Sequence, residues 1–237
     1  MMKRQFSAAF IFRAAVWAGI ATLILYMGVR HYGTIQPIVY EEHLDDVAVT
    51  VDGDDLTLGD LSFYVLYEEQ TVETEAEVYN KKNTRDFWNL HANGIFFKYA
   101  AKKYVMEMAI HDHLFYKGAL AEGITLSEDD KKALRDSYGD FLDDLLLTQK
   151  DSGLYDEKKI YDTMEQIVYA EKYRAYLAER DDTTYAGYGY DGLDYKNWLQ
   201  DHEVKINESI WGRVSVGDNS LTHKSASGIN GVSSDDE

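Results

Sequence analysis

The strongest constraint on the fold is an apolar run near the amino terminus. Ala14–Val29 holds sixteen residues without a charge, fewer than the roughly 20 that a helix needs to span a bilayer. Arg13 precedes the run, and its long side chain can snorkel to the interface, which lets Phe6–Phe12 join the span. Residues 1–30 are therefore predicted to form a cytoplasmic stub and a transmembrane signal anchor, with the lipid bilayer contacting residues 6–29.

The charges on either side of this run predict its orientation. Lys3 and Arg4 precede it, and Glu41 and Glu42 are the first acids after it. Because positive charge stays on the cytoplasmic side, we expect a single-pass protein of the cell membrane, with a cytoplasmic N-terminus and an extracytoplasmic C-terminal domain. A cleaved signal peptide is the alternative, but residues 26–30 do not form the small-x-small pattern of a cleavage site.

The charge of the remaining chain limits its partners. All 42 acidic residues follow Arg30, against 20 of the 24 Lys and Arg, so this part carries a net charge of about −22. Such a field repels nucleic acid and favours basic or neutral partners. The chain has no cysteine, which excludes disulfides, thiol nucleophiles and thiolate metal sites.

The sequence after the anchor predicts a mainly α domain with a small β element. Residues 31–46 are predicted to be a tether, and 47–211 to be the folded domain. Val47–Val51 is β-prone and is followed by Asp52-Gly53, a strong hairpin-turn signal. Helices are predicted over 61–79, 85–92, 95–121, from a cap at Ser127, and over 157–179, with 95–121 as the buried central helix. A strand near Val204–Trp211 follows, and residues 212–237 are predicted to be a disordered tail.

Motifs that would indicate chemistry lack the context that they require. Gly187–Gly192 matches G-x-G-x-x-G, but neither a strand before it nor an apolar helix after it is predicted. His111 and His113 are two apart on a helix and point about 200° apart, so they cannot share one ion. We therefore predict no catalytic residue, no metal and no cofactor.

Aromatic density is the unusual feature of the composition, with 19 Tyr, 9 Phe and 4 Trp. Tyr169, Tyr173 and Tyr176 fall at positions i, i+4 and i+7 of the last long helix. They are candidate client-binding residues, because tyrosine supplies a large contact area with little loss of entropy. The alternative is that these rings pack on neighbouring helices.

Three segments, in order, resemble the N-terminal domain of SurA-type and PrsA-type chaperone-foldases. Val49–Thr57 resembles the strand and turn that open that domain. Ala121–Asp129 is similar to its "A-x-x-x-G-I-x-(V/L)-(S/T)-x-E-E" link between helices, and Ile160–Leu177 is similar to the helix that follows. The resemblance extends over residues 47–211 and implies that the late strand pairs with the early one.

The resemblance also implies a function. In that family the helical domain cradles unfolded exported polypeptides, and many members add a parvulin isomerase domain of about ninety residues after the last long helix. Only the loop Asp181–Asp194 occupies that place here, so we expect a membrane-anchored chaperone-like domain without isomerase activity and not an enzyme. The alternative is a structural or accessory subunit that binds one dedicated partner in a cell-surface assembly.

Overall fold

The computed structural model describes residues 37–92, 94–145 and 147–217. Its first regular element is a hairpin of strands β1 (Val47–Val51) and β2 (Asp54–Thr57), which pair antiparallel with Val51 opposite Asp54. Asp52 and Gly53 connect them with positive φ angles of 50° and 88°, the conformation that favours Asp-Gly in two-residue turns. The predicted turn is confirmed.

The predicted pairing of the early and late strands is also confirmed. Two short strands, β3 (His91–Ala92) and β4 (Ile95–Phe96), lie between the hairpin and the late strand, β5 (Val204–Ile206). β5 pairs antiparallel with β1, giving a three-stranded sheet in the order β2-β1-β5. β1 is thus the central strand, and its Val49 and Val51 side chains are fully buried.

Helices make up most of the described residues, and three of the four long ones begin at a residue whose side chain caps the helix. Thr57 caps the first helix in a capping box with Asp60, and Ser127 does the same for another helix with Asp130, so each box satisfies two backbone donors at a helix N-terminus. The helices are α1 (Leu58–Asn80), α2 (Arg85–Trp88), α3 (Phe97–Ala121), α4 (Glu128–Asp144), α5 (Leu147–Lys150), α6 (Glu157–Arg180) and α7 (Leu193–Trp198).

The core lies around α3, which packs against α1 and α6. Val105, Phe115 and Ala119 of α3 are fully buried, which confirms the predicted central helix for its middle and C-terminal turns. The N-terminal turns of this helix differ from that prediction, because Tyr99 and Tyr104 are exposed. Apolar periodicity places residues on one face of a helix, but it does not say how far along the axis the neighbouring helices cover that face.

The connection into α3 differs from the prediction. We expected a helix over 85–92 that runs on into the next one. Instead α2 ends at Trp88, and β3 and β4 form a short antiparallel hairpin in which Ala92 lies opposite Ile95. Gly94 in its turn has a φ angle of +85°, which is left-handed backbone that helices do not contain.

The packed domain extends beyond the predicted limits of 47–211 at both ends. Tyr40 is buried, and its hydroxyl donates a hydrogen bond to the Leu58 carbonyl oxygen at 2.7 Å. At the other end Val214 and Val216 are buried, and the Lys102 ammonium donates to the Val214 carbonyl oxygen at 2.8 Å. Part of the predicted tether and the first residues of the predicted tail therefore belong to the core. The rest of that tail, residues 218–237, lies outside the described residues.

The predicted fold class included a transmembrane helix, and this part of it is wrong for the fold that the structure describes. Within the three described ranges, no helix is both long and apolar enough to cross a membrane. The predicted signal anchor, with its bilayer contact through residues 6–29, lies outside those ranges. The described architecture is a helical domain with a small antiparallel sheet.

Candidate functional site

The three tyrosines predicted to bind a client lie between α6 and its neighbours. The Tyr173 ring is buried and meets Phe115 edge-on, with ring centroids 5.5 Å apart. Tyr176 stacks on Tyr173 at 5.9 Å, and the half-buried Tyr169 meets Tyr116 edge-on at 5.7 Å. The structure therefore places this stripe in the packing of α6 on α3, and Tyr173 has little surface left for a partner.

A group of exposed apolar side chains lies instead at the junction of α1, the β3–β4 hairpin and α3. We call Tyr79, Ile95, Phe96 and Tyr99 the hairpin patch; these side chains are 57%, 39%, 39% and 55% exposed. Val78, beside Tyr79, is more exposed still. Large apolar side chains grouped on a surface are typical of sites that bind another molecule.

Backbone geometry around the hairpin presents these side chains. β4 is a two-residue strand that pairs only with β3 among the described elements, with Phe96 opposite His91. The Phe97 amide then donates to the Leu90 carbonyl oxygen at 3.1 Å, which closes the hairpin at the start of α3. Ile95 and Phe96 therefore lie on a short hairpin directly before α3, where both side chains remain partly open to solvent.

Aromatic rings of neighbouring residues contact the rings of the hairpin patch and hold them in place. Phe87 of α2 lies between Tyr79, at 5.7 Å, and Phe97, at 4.7 Å between ring centroids. Phe96 contacts His91 at 5.0 Å and Tyr99 at 5.9 Å, both in edge-to-face geometry. Rings already held by their neighbours lose little further freedom on binding, which favours association.

Trp88 fixes the base of this region to the core. It is buried, and its indole N–H donates to a Glu73 carboxylate oxygen at 2.8 Å. The backbone of Gly217 lies against the indole ring so closely that a Cβ atom added to Gly217 would come within 2.1 Å of three ring atoms. The C-terminal end of the described domain is thus in direct contact with the helix that supports the hairpin patch.

Two neighbouring carboxyls on α1 have perturbed acidity. Burial raises the pKa of Glu69 to about 8 and that of Glu68 to about 7. They do not form one site, because successive helical residues point about 100° apart. Glu69 accepts a hydrogen bond from the Gly217 amide at 3.1 Å. Glu68 instead faces the Tyr190 phenol, whose pKa is raised by burial and further by the charges of Asp191 and Glu68. Neither arrangement brings an acid and a base together in a cleft.

The other polar clusters have structural partners. His111 is buried, with Nε2 2.9 Å from the Tyr188 carbonyl oxygen, whereas His113 Nε2 lies 3.2 Å from an Asp54 carboxylate oxygen. The two imidazoles therefore face different neighbours. Within the part of the chain that the structure describes, no group of three or more His, Asp or Glu side chains is placed to hold a metal ion.

A polar cavity of about 490 Å³ lies where the segment around His43 meets the start of α1 and α6. His43 is paired with Asp46 at 2.6 Å. The cavity is also lined by Glu41, Asp156 and Lys159, and none of these groups is arranged as a nucleophile with a base. The hairpin patch is therefore the better candidate for a functional surface.

Comparison of the chain with family models, with curated proteins and with solved structures gives no match. The resemblance to chaperone-foldases consequently stays a prediction from the three segments quoted above.

Proposed function

We propose that this protein is a non-catalytic binding module that holds unfolded or extended segments of other polypeptides at the hairpin patch. The observation that supports the proposal is the exposure of four large apolar side chains, Tyr79, Ile95, Phe96 and Tyr99, where the end of α1, the β3–β4 hairpin and the start of α3 meet. Phenylalanine and tyrosine rings bind varied sequences through apolar contact. The resemblance of residues 47–211 to a family that cradles unfolded polypeptides points the same way.

The size of the patch predicts weak and reversible binding. Each side chain has roughly 100 Å² left to bury, so four of them together contribute on the order of 10 kcal/mol at about 25 cal/mol per Å². Association costs about 4–15 kcal/mol in lost freedom of motion. The difference leaves little net affinity from the patch alone, which suits a protein that releases its clients.

The test compares binding by the full chain and by two double variants. The probe is a fluorescently labelled, permanently unfolded polypeptide, and the measurement is its anisotropy as protein is added. Phe96→Ser with Tyr99→Ser should weaken binding about tenfold or more, because it removes two exposed rings that support each other. Leu120→Ser with Leu193→Ser is the matched control, since both leucines are exposed and neither belongs to the patch.

Equal affinity of the wild type and the Phe96 and Tyr99 variant would contradict the proposal, and so would an equal loss in the control. Thermal unfolding of each variant shows whether the fold is retained. Repeating the titration with several unrelated unfolded chains then distinguishes general holding from the recognition of one partner.

A further inference from the structure

Three of the four hairpin-patch residues, Ile95, Phe96 and Tyr99, lie in a basic stretch of the otherwise acidic part of the chain after Arg30. The whole protein has a net charge of −18, with 42 acidic residues. Between positions 81 and 103, however, Asp86 is the single acid. Six basic residues fall in the same stretch, namely Lys81, Lys82, Arg85, Lys98, Lys102 and Lys103.

Three of these cations have no carboxylate partner and lie beside the patch. Lys98 places its ammonium 5.9 Å from the centroid of the Phe96 ring and 5.6 Å from that of Tyr99, and it donates to the Asn89 side-chain oxygen at 3.0 Å. Lys81 and Lys82 are exposed and follow the end of α1, directly after the residues around Tyr79. Among the described residues, no carboxylate forms an ion pair with any of the three.

Two more cations are already engaged. The Lys102 ammonium donates to the Val214 carbonyl oxygen and lies 5.4 Å from the Trp211 ring centroid, whereas Lys103 forms an ion pair with Glu107 at 3.0 Å.

The carboxylates in and around the patch offset only part of its charge, since one acid stands against six Lys and Arg between positions 81 and 103. Asp86, the acid of the basic stretch, accepts hydrogen bonds from Asn80 and Asn83. Glu75 and Glu77 lie before Tyr79 on α1 and limit the basic surface on that side. What remains free for a partner beside the rings is therefore the positive charge of Lys81, Lys82 and Lys98.

We propose that the polypeptide segment held at the hairpin patch is acidic, with apolar side chains that contact the rings and carboxylates that pair with Lys81, Lys82 and Lys98. This inference rests on the proposed binding function and names the class of its client. It reverses the expectation from net charge, because a charge more than about 8 Å away is largely screened at physiological salt. The local cations then decide which segment binds, and the acidic remainder of the surface repels that segment elsewhere and so directs it to the patch.

The test uses the full chain and three labelled peptides of equal length and equal aromatic content. One peptide is rich in Glu, one in Lys, and one is uncharged. At physiological salt the Glu-rich peptide should bind about tenfold more tightly than the Lys-rich one, and its affinity should fall as salt is added. The triple variant Lys81→Glu, Lys82→Glu and Lys98→Glu should abolish this preference. The matched control reverses three exposed lysines elsewhere, Lys132→Glu, Lys158→Glu and Lys205→Glu, and should keep it.

Several outcomes would overturn the inference. They are equal or tighter binding of the Lys-rich peptide, or loss of the preference in the control as well as in the patch variant. Binding to anionic lipid vesicles or to single-stranded nucleic acid without binding to the Glu-rich peptide would also refute it, because the cations would then serve another class of ligand. The uncharged peptide separates the two proposals: if it binds through Phe96 and Tyr99 and charge makes no difference, the acidic-client inference fails and the binding function stands. If none of the three peptides binds, both fail.

Discussion

Replacing Glu69 by glutamine should change how the stability of the domain depends on pH. Glu69 is 7% exposed, and burial raises the pKa of its carboxyl from about 4.5 to about 8. The folded protein therefore keeps this carboxyl protonated over a pH range in which the unfolded chain has lost the proton. Because the folded state binds more protons there, its stability is greatest below about pH 4.5 and falls as the pH rises through about 8.

The size of the effect follows from the displacement of the pKa. One pKa unit corresponds to about 1.4 kcal/mol, so wild type loses on the order of 3 kcal/mol of stability between pH 5 and pH 8 through this group. Glutamine is neutral throughout and keeps an oxygen that accepts from the Gly217 amide. Glu69→Gln should thus match wild type within about 1 kcal/mol at pH 5 and exceed it by about 3 kcal/mol at pH 8.

Thermal unfolding followed by circular dichroism between pH 5 and pH 8 measures this difference. For a domain of this size the midpoint of the variant should exceed that of wild type by roughly 6–12 °C at pH 8. Glu77→Gln changes an exposed position on the same helix and is the control. Its thermal midpoint should depend on pH in the same way as that of wild type. The raised pKa of Glu68 affects both proteins equally and cancels in the comparison. If the thermal midpoint of Glu69→Gln also had the same pH dependence as that of wild type, the reasoning from burial would be refuted.

Three further predictions concern helix packing, the pairing of β5 with β1, and isomerase activity. Gly118→Ala should lower the stability by about 1–3 kcal/mol, because a Cβ atom there would lie 2.3 Å from the Tyr173 ring. Gly139→Ala, on a helix with nothing within 4 Å, should instead raise it by about 0.5–1 kcal/mol, and urea unfolding compares the two. Truncation after Arg180 removes β5 and the buried Trp211. The thermal midpoint of the truncated chain should therefore fall below that of a chain ending at Gly217. Equal midpoints would mean that the β1–β5 pairing does not stabilise the domain. The protein should not accelerate proline-limited refolding, since the loop after α6 is far shorter than an isomerase domain; a faster slow phase would show the opposite.

The parts of the fold that could be predicted are those set by short-range chemistry. Asp52-Gly53 is a turn signal by itself, and Ser127 with Asp130 forms a capping box within one turn. Gly123 ends α3 with a φ angle of +69°, as its sequence context indicated. The pairing of β5 with β1 was expected through the family resemblance. The strand itself was predicted over Val204–Trp211 and is shorter in the structure, where it ends at Ile206.

The parts that could not be predicted depend on contacts between distant residues. Strands of two residues, as in the β3–β4 hairpin, are too short to show alternation. The contact of Gly217 with Trp88 joins residues 129 positions apart, and local sequence does not show it. The alternation of Val214 and Val216 was an available signal that the predicted tail begins with packed residues.

The basic charge of the candidate site was visible in the sequence, but the net charge of the whole outer part does not show it. Net charge over the whole outer part is strongly negative, and the basic stretch from Lys81 to Lys103 disappears in that sum. The exposure of Tyr99 could not be recovered from its position on an apolar helix face. The regular spacing of Tyr169, Tyr173 and Tyr176 is equally typical of rings that pack between helices, and the rings of Tyr173 and Tyr169 contact Phe115 and Tyr116 of α3.

The pairing of β1 with β5 has a mechanical consequence. Val51 lies opposite Val204, and the Asn207 amide donates to Ala48 at the other end of the ladder, so the chain enters and leaves this pair at the same end. Tension applied between the two ends of the domain would first load the flanking contacts of Tyr40 and Gly217. It would then load the hydrogen bonds of the β1–β5 pair one after another rather than all at once in shear. Once those flanking contacts are broken, the β1–β5 pair should separate at small pulling forces even where the thermal stability of the domain is high, and β5 should be the first strand to detach.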